Sequence, residues 1–260
     1  MASDLDFSGK TVLITGAASG IGAACARWLD ARGAAEIVLV DLDRPGLDRL
    51  DLSCRTRPFG GSVSDPALWN LLSREIGRLD HAVINAGVSG AGKAITDLDI
   101  TDWRATMAVN LDGAFLSLRC AMRNMMRPAP DGNRGGSVVL VGSVAGIKGT
   151  APVDYGASKA AVLHMARIAA REGAPHGIRV NAIAPGGVDT PIWDSVEMVQ
   201  QAIKSLGSRE APIAEIGRAG SPLGRMASAE EIAAQIGFLL SNLAAPITGS
   251  VLVSDGGYSI

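Results

Sequence analysis

The 260-residue chain predicts a single α/β domain, a doubly wound parallel sheet of about seven strands with helices on both faces. Three observations lead there. Short apolar runs rich in strand formers alternate with helix-length segments along the chain. Those runs are too continuous for a sheet with one wet face. The first unit reads strand, glycine loop, helix, strand, acid, and a chain of this length can bury a substantial core.

Residues 11–14 (TVLI) are too few for a helix and read as the first strand. Thr15-Gly-Ala-Ala-Ser-Gly-Ile-Gly22 follows, then an Ala-rich helix over 23–32 stopped by Gly33. A second strand, 36–40, ends at Asp41. Glycines let the backbone turn tightly and approach a pyrophosphate, whose charge a helix N-terminus favours. Asp41 lies 19 residues past Gly22, where a carboxylate can accept from a ribose 2′-OH. This is the layout of a dinucleotide-binding βαβ unit. A 2′-phosphate about 4 Å from Asp41 would be repelled by several kcal/mol at an effective dielectric near 20. The glycine loop holds no Lys or Arg to offset that, and Arg44 reads as a solvated loop residue. NAD is therefore favoured over NADP.

The alternation continues with a weak strand at 56–59 and a helix from Asp65 to about 76. A strand at 79–84 leads into Asn85-Ala-Gly87, and a long helix between 102 and 127 ends before Pro128. Strands follow at 137–141, 178–183 and 250–253. Ligands of such sheets bind beyond the carboxyl ends of the strands. Gly16 to Gly22, Asp41, Asn85 to Gly87, Gly142-Ser143 and Pro185-Gly-Gly187 all fall at such ends.

Between two of those strands lies Tyr155-Gly-Ala-Ser-Lys159. Asp154 is expected to cap the helix that follows, which Gly173 and Pro175 end. Tyr155 and Lys159, four apart, project from one helix face. A phenol titrates near 10, whereas a useful general acid/base needs a pKa nearer 7. Closing that gap takes roughly 4 kcal/mol, which a neighbouring ammonium in a partly dry site can supply.

Composition excludes other classes. A net charge of −2 gives no reason to expect nucleic acid or an anionic membrane as partner. Cys25, Cys54 and Cys120 lack C-x-x-C spacing, so no disulfide framework is expected. The opening residues show no basic n-region followed by an apolar stretch, and no apolar run approaches membrane-spanning length. A soluble protein of a reducing compartment follows, most simply the cytoplasm. His81, His164 and His176 lack metal-ligand spacing and are assigned to packing or surface, so no metal is expected. Cys25 reads as a small core residue, and Met122 to Met126 as helix packing or a subunit contact.

The chain resembles the short-chain dehydrogenase/reductase family over essentially its whole length, from Lys10 to Gly257. The carrying motifs are T-G-x-x-x-G-x-G at Thr15 to Gly22, N-A-G at Asn85 to Gly87, and Asn110 within Val-Asn-Leu-Asp-Gly. Ser143, Y-x-x-x-K at Tyr155 to Lys159, Asn181-Ala-Ile-Ala-Pro-Gly186 with Thr190, Thr248-Gly249 and Asp255-Gly-Gly257 complete them. Length and glycine spacing resemble the short oxidoreductase branch, with a Rossmann-type fold. The resemblance implies hydride transfer between NAD(H) and a secondary alcohol or ketone. It implies Tyr155 as acid/base, and Lys159 lowering the phenol and donating to the nicotinamide ribose. Ser143 would hold the substrate oxygen, and Asn110 a water linking Lys159 to bulk. It assigns cofactor contacts to Gly16, Ser19, Gly20, Ile21, Gly22, Asp41, Ser62, Val63, Asn85, Ala86, Gly87, Pro185, Gly186, Val188 and Thr190. Departures are Ser62, where many relatives carry Asp and an adenine-side contact is changed, Ile84 before Asn85, and Gly142 before Ser143.

The irregular stretch 191–222 resembles the family's mobile substrate lid. Trp193, Val196, Met198 and Val199 would form an apolar wall, completed by 91–95 and 147–153, so the expected substrate has an apolar body. Lys148 could face a substrate carboxylate, although exposure to solvent is the simpler expectation. The resemblance further implies a homotetramer or homodimer. The alternatives are an NADPH-dependent 3-oxoacyl thioester reductase, against which Asp41 speaks, and a catalytically silent NAD(H) sensor, which should lack Tyr155 or Lys159.

Overall fold

The computed structural model describes residues 5–128 and 135–260. The first four residues, where the reading of the opening segment begins, lie outside the described residues. The strands are β1 (Thr11–Thr15), β2 (Glu36–Asp41), β3 (Arg55–Gly60), β4 (His81–Ile84), β5 (Gly136–Val141), β6 (Ile178–Pro185) and β7 (Val251–Ser254). They form one seven-stranded sheet in the order β3-β2-β1-β4-β5-β6-β7, with every pairing parallel. The helices are α1 (Gly20–Asp30), α2 (Arg44–Asp48), α3 (Pro66–Glu75), α4 (Ile100–Met107), α5 (Gly113–Met125), α6 (Val153–Gly173), α7 (Glu197–Leu206), α8 (Glu210–Gly220) and α9 (Ala229–Leu240). β3 contains Pro58, tolerated because this strand lies at the sheet's edge.

Strand periodicity sorts the core into two layers. Leu13, Val38, Val40, Ile84, Val138 and Val180 face the layer of α3, α5 and α6. Val12, Ile14, Ile37, Leu39, Val139 and Ile183 face the layer of α1 and α9. The doubly wound architecture is as the sequence predicts, and Cys25 is a buried core residue. Met125 is fully buried, with Met122 and Met126 packed beside the core. His81 packs edge-on against Phe7, and burial lowers its pKa to about 4.

The structure also differs from the sequence reading in particular places. The long helix of 102–127 is a rod in two pieces, α4 and α5, joined by a π-helical turn over Ala108–Asp112. Such turns frequently mark functional sites. The lid stretch is largely helical, comprising a 3₁₀ turn at Pro191–Ser195 and then α7 and α8. The sequence reading contains neither α2 nor α9. The signal for α9 is a capping box, in which Ser228 and Glu231 exchange side-chain-to-backbone hydrogen bonds. At its far end Arg179 donates to the carbonyls of Leu239, Leu240, Ser241 and Ile247 at 2.9–3.1 Å. Asp154 is not the cap of α6, which is Pro152; the aspartate sits inside the first turn and is wholly buried.

α9 packs tightly on α1 through a glycine. A Cβ at Gly237 would lie 2.3 Å from the Trp28 ring, which Phe7 and the Arg32 guanidinium hold in place. Gly237→Ala is therefore expected to cost about 1–3 kcal/mol by overpacking, despite alanine's better helix propensity. Urea unfolding monitored by circular dichroism checks this.

Candidate active site

α6 carries Tyr155 and Lys159 to the carboxyl end of β5, and glycines permit the close approach. A Cβ at Gly142 would lie 2.4 Å from Leu163 Cδ2, and one at Gly146 would lie 2.7 Å from the Ala160 nitrogen. Gly142, a departure in the sequence, thus has a packing reason. Lys159 is 5% exposed; its Nζ donates to the Val141 carbonyl at 3.1 Å and lies 5.7 Å from the centre of the Tyr155 ring. Burial lowers the ammonium from 10.5 to about 8. An ammonium has three donors, and Val141 takes one.

The phenol of Tyr155 behaves differently from the sequence expectation. Desolvation pushes its pKa up, and a hydrogen bond with Ser143 opposes this without reversing it. Lys159 is held back by Val141 and is not among the groups that shift it. Ser143 lies in extended conformation at the end of β5, and its Oγ accepts from the Ala145 N–H at 3.1 Å. Asn110 sits in the π-helical turn, 1% exposed. Its Oδ1 accepts from Val88 N–H at 2.8 Å, while Nδ2 donates to the Val88 carbonyl at 3.0 Å and to Ser158 Oγ at 3.1 Å. Those bonds brace the turn after β4. A Cβ at Gly87 would stand 3.2 Å from both Asn110 Oδ1 and Lys159 Nζ, so the turn passes close to both groups.

β1 and β4 are neighbours, and the strand order reverses between them. Thr15 Oγ1 there accepts from Asn85 N–H at 2.9 Å and Ala86 N–H at 3.1 Å. Asn85 Nδ2 donates to the carbonyls of Thr15 and Gly16 at 3.0 and 3.1 Å. The Asn85 amide is therefore committed to the glycine loop. A Cβ at Gly22 would lie 2.0 Å from the Gly16 carbonyl oxygen, so only glycine closes the loop. Ser19 precedes α1 without a side-chain cap bond, and its first turn holds no acid. That N-terminus opens onto the cleft through Ser19, Gly20 and Ile21, which fits an anionic pyrophosphate.

Asp41 ends β2, and its carboxylate accepts from Ala18 N–H and Asp43 N–H, both at 2.9 Å. Arg44 is not free: it binds the Asp48 carboxylate and the Pro58 carbonyl. Ser62 shares a hydrogen bond with Ser64 at 2.8 Å, and the Val63 carbonyl accepts from Trp69 Nε1 at 2.7 Å. Beyond β6, Gly186 passes so close to Asp255 that a Cβ would stand 2.8 Å from its Cα. The Val188 carbonyl accepts from Trp193 Nε1 at 2.8 Å, and Thr190 is buried beside Gly20. Arg209 of the lid holds Asp189, Asp194 and the Thr190 carbonyl at 2.6–2.9 Å.

Gly16, Ser19 to Ile21, Asp41, Ser62, Val63, Asn85 to Gly87, Ser143, Tyr155, Lys159, Pro185, Gly186, Val188 and Thr190 line one cleft of about 1190 Å³, whereas Asn110 and Gly22 are not part of its lining. The cleft is larger than the roughly 300–1,000 Å³ of a drug-sized ligand site. A nicotinamide dinucleotide beside a small substrate fits that space and those donors. Trp193, Val196 and Met198 line it as expected, but Val199 is fully buried in the lid's own small core. Of 91–95 only Ala91 and Gly92 reach it, and of 147–153 only Thr150 to Pro152. Lys148 does not line the cleft and is half-buried; it donates to the Tyr258 carbonyl at 2.7 Å and lies 4.6 Å above that ring. Tyr258, Met226, Glu197 and Gln201 also line the cleft and are missing from the sequence reading. Ser89 and Ser195 bridge its two banks at 3.0 Å.

Residues 16–259 match the family model described as enoyl-(acyl carrier protein) reductase. The chain is 36% identical to cis-4-hydroxycyclohexanecarboxylate dehydrogenase of Sinomonas cyclohexanicum, over 97% of this chain and 98% of that one. It is also 36% identical to the 3-oxoacyl-[acyl-carrier-protein] reductase of Thermotoga maritima, over 97% and 98%. The crystal structure of levodione reductase superposes with a TM-score of 0.85 at 32% identity, covering 97% of this chain and 98% of that one. The chain belongs to the short-chain dehydrogenase/reductase family, whose members use a nicotinamide cofactor.

The buried ammonium opposes folding. Its pKa is about 8 in the folded protein against 10.5 for an ordinary lysine, so the penalty is fully present below pH 8 and fades toward pH 10.5. Lys159→Met is expected to raise stability on the order of 2 kcal/mol at pH 7. Thermal melts at pH 7 and pH 10 should show that gain shrinking at the higher pH.

Proposed function

We propose that this enzyme is an NAD(H)-dependent dehydrogenase of a neutral secondary alcohol, or reductase of the matching ketone, with Tyr155 as its general acid/base. The observation that carries the reading is the convergence of Tyr155, Ser143 and Lys159 on one wall of a cleft whose other end is the glycine loop. The bound nicotinamide supplies the hydride acceptor or donor. In the reductive direction the Tyr155 hydroxyl gives its proton to the carbonyl oxygen, and Ser143 Oγ donates a hydrogen bond to the same oxygen. The raised phenol pKa keeps that acid protonated at neutral pH, so reduction holds there and oxidation speeds up as pH rises. Lys159 reserves its remaining donors for the ribose hydroxyls, while Asn110 ties the turn after β4 to the neighbouring Ser158 of α6.

For the cofactor, Asp41 at the end of β2 supports NAD. Arg44, the nearest base, is committed to Asp48 and Pro58. Gly16, Ser19, Gly20, Ile21 and Gly22 would hold the pyrophosphate, Ser62 and Val63 the adenine side, and Asn85, Ala86 and Gly87 the middle of the cleft. Pro185, Gly186, Val188 and Thr190 would run beneath the nicotinamide. The substrate end has apolar walls from Val144, Trp193, Val196, Met198 and Met226. Of its cations, Lys159 gives one donor to Val141 and keeps the others for the cofactor, and Arg225 is paired with both oxygens of Glu231. An uncharged, apolar alcohol suits such walls.

The 3-oxoacyl thioester reductase remains the second reading, favoured by one of the relatives above. It requires NADPH, which Asp41 opposes. A silent sensor is disfavoured by the presence of Tyr155 and Lys159. The protein is read as one domain with its lid at about 191–222, acting on a small molecule without nucleic acid or membrane. No described helix is long and apolar enough to cross a membrane, and the three cysteines are free, which supports a cytoplasmic setting. Phe115 of α5 and Ile168 of α6 are about half exposed (48% and 50%), which supports a homotetramer or homodimer built on those helices.

A screen of secondary alcohols and ketones, followed by absorbance of the reduced nicotinamide, is expected to find turnover with higher kcat/KM for NAD than NADP. Asp41→Ala should narrow that gap. Tyr155→Phe should lower kcat by about 10²-fold or more while NADH still quenches tryptophan fluorescence as in the parent. A fully active Tyr155→Phe enzyme overturns the proton-transfer role, and preference for NADPH overturns the cofactor reading.

A further inference from the structure

Asp154, next to Tyr155, has no part in the proton transfer, yet its carboxylate is wholly buried. Its oxygens are used unequally. Oδ2 accepts from the Ala91 N–H at 2.8 Å and from Thr106 Oγ1 at 2.8 Å, whereas Oδ1 has no hydrogen-bond partner among the described residues. Burial pushes the carboxyl up, but the hydrogen bonds it accepts, chiefly those from Ala91 and Thr106, outweigh it, so its pKa lies below the ordinary value. The chain crosses this carboxylate at Gly90, whose φ is +83°. A Cβ there would stand 2.8 Å from Oδ2 and 2.9 Å from Oδ1, so only a glycine lets the turn lie on it. Gly90 and Ala91 line the cleft, as does Tyr155. One buried oxygen therefore joins three pieces: the turn after β4, α4 through Thr106, and the first turn of α6.

We propose that Asp154 is a positioning residue that fixes the Gly90–Ala91 wall of the substrate end at a set spacing from the Tyr155 hydroxyl. The inference rests on the reading of Tyr155 as acid/base, and it deepens that reading by naming what holds the substrate wall. Both hydrogen bonds converge on a single oxygen, so a side-chain amide can keep them. Asp154→Asn retains an acceptor at the Oδ2 position and places its NH₂ where Oδ1 stands without a partner. Asp154→Ala removes the acceptor, and Thr106→Val removes one donor at a site away from the cleft.

The test compares these three variants with the parent in three measurements. Hydrogen–deuterium exchange over residues 88–92 is read by mass spectrometry, and NADH affinity by tryptophan fluorescence. KM and kcat are measured with the best alcohol from the screen. Asp154→Ala is expected to accelerate exchange in that segment and raise KM about tenfold, with NADH affinity within about twofold of the parent. Thr106→Val should follow in the same direction by less, and Asp154→Asn should restore both exchange protection and KM. Unchanged exchange and KM in Asp154→Ala would overturn the proposal. So would an Asp154→Asn variant as impaired as Asp154→Ala, because the charge would then carry the effect. A loss of NADH affinity in Asp154→Ala as large as the rise in KM would reduce the residue to general structural support and overturn it as well. If the screen finds no alcohol, the functional reading fails, while the exchange arm still decides whether Asp154 holds the wall.

Discussion

The contact on which the rest depends is the seating of α6 on the end of β5. Two glycines without room for a Cβ, Gly142 and Gly146, let the helix close on the strand. The closure buries Lys159, whose ammonium reaches a single backbone carbonyl, that of Val141. A buried cation with one acceptor is expensive. It persists because the packing around it, from Leu163 and Ala166 to the sheet, is dense and apolar. The seating places an ammonium and a phenol on one wall of the cleft, the ammonium 5.7 Å from the ring centre, and burial lowers the first and raises the second.

Around this seat the molecule divides into a fixed half and an adjustable half. The β1–β4 switch point is cross-tied by Thr15 and Asn85, and Asn110 ties the turn after β4 to α6 through Ser158. These bonds, at 2.8–3.1 Å, tie the same few turns to one another, as a site that must hold a dinucleotide in one register requires. The lid is built otherwise. Its small core of Val199, Ile213 and Met226 is separate from the two main layers. It is moored by Arg209, by Trp193 on the Val188 carbonyl and by the Ser89–Ser195 pair. Substrate choice can therefore vary there without disturbing the proton-transfer wall.

Much of the fold was legible because strand and helix periods differ and because glycine has few alternatives where the chain turns on itself. Thr15 to Gly22, Asp41 and the Tyr155–Lys159 spacing could be placed from residue types alone. What was not legible is informative. Asp154 looks like a helix cap, because Asp favours that position, but tertiary donors from Ala91 and Thr106 claim it instead. Val199 is apolar like its neighbours in the lid, and only the packing shows that it turns away from the cleft. Tyr258 and Lys148 are 110 residues apart and meet through a backbone carbonyl, a contact that no local pattern encodes. The shift of the phenol could not be read from spacing, since it depends on how much water the fold removes. For α9 the signal was present in Ser228 and Glu231.

The central claim is that Tyr155 stands at the reacting edge of the bound nicotinamide. The chain has only 2 tyrosines, so protein labelled with ¹³C at tyrosine Cζ gives two resonances, assigned by Tyr155→Phe. The Tyr155 resonance should titrate above the ordinary phenol range in the free protein, and its midpoint should fall when NAD⁺ places a positive ring beside it. A Tyr155 titration that NAD⁺ leaves unmoved, at cofactor concentrations shown to saturate binding, would contradict the account.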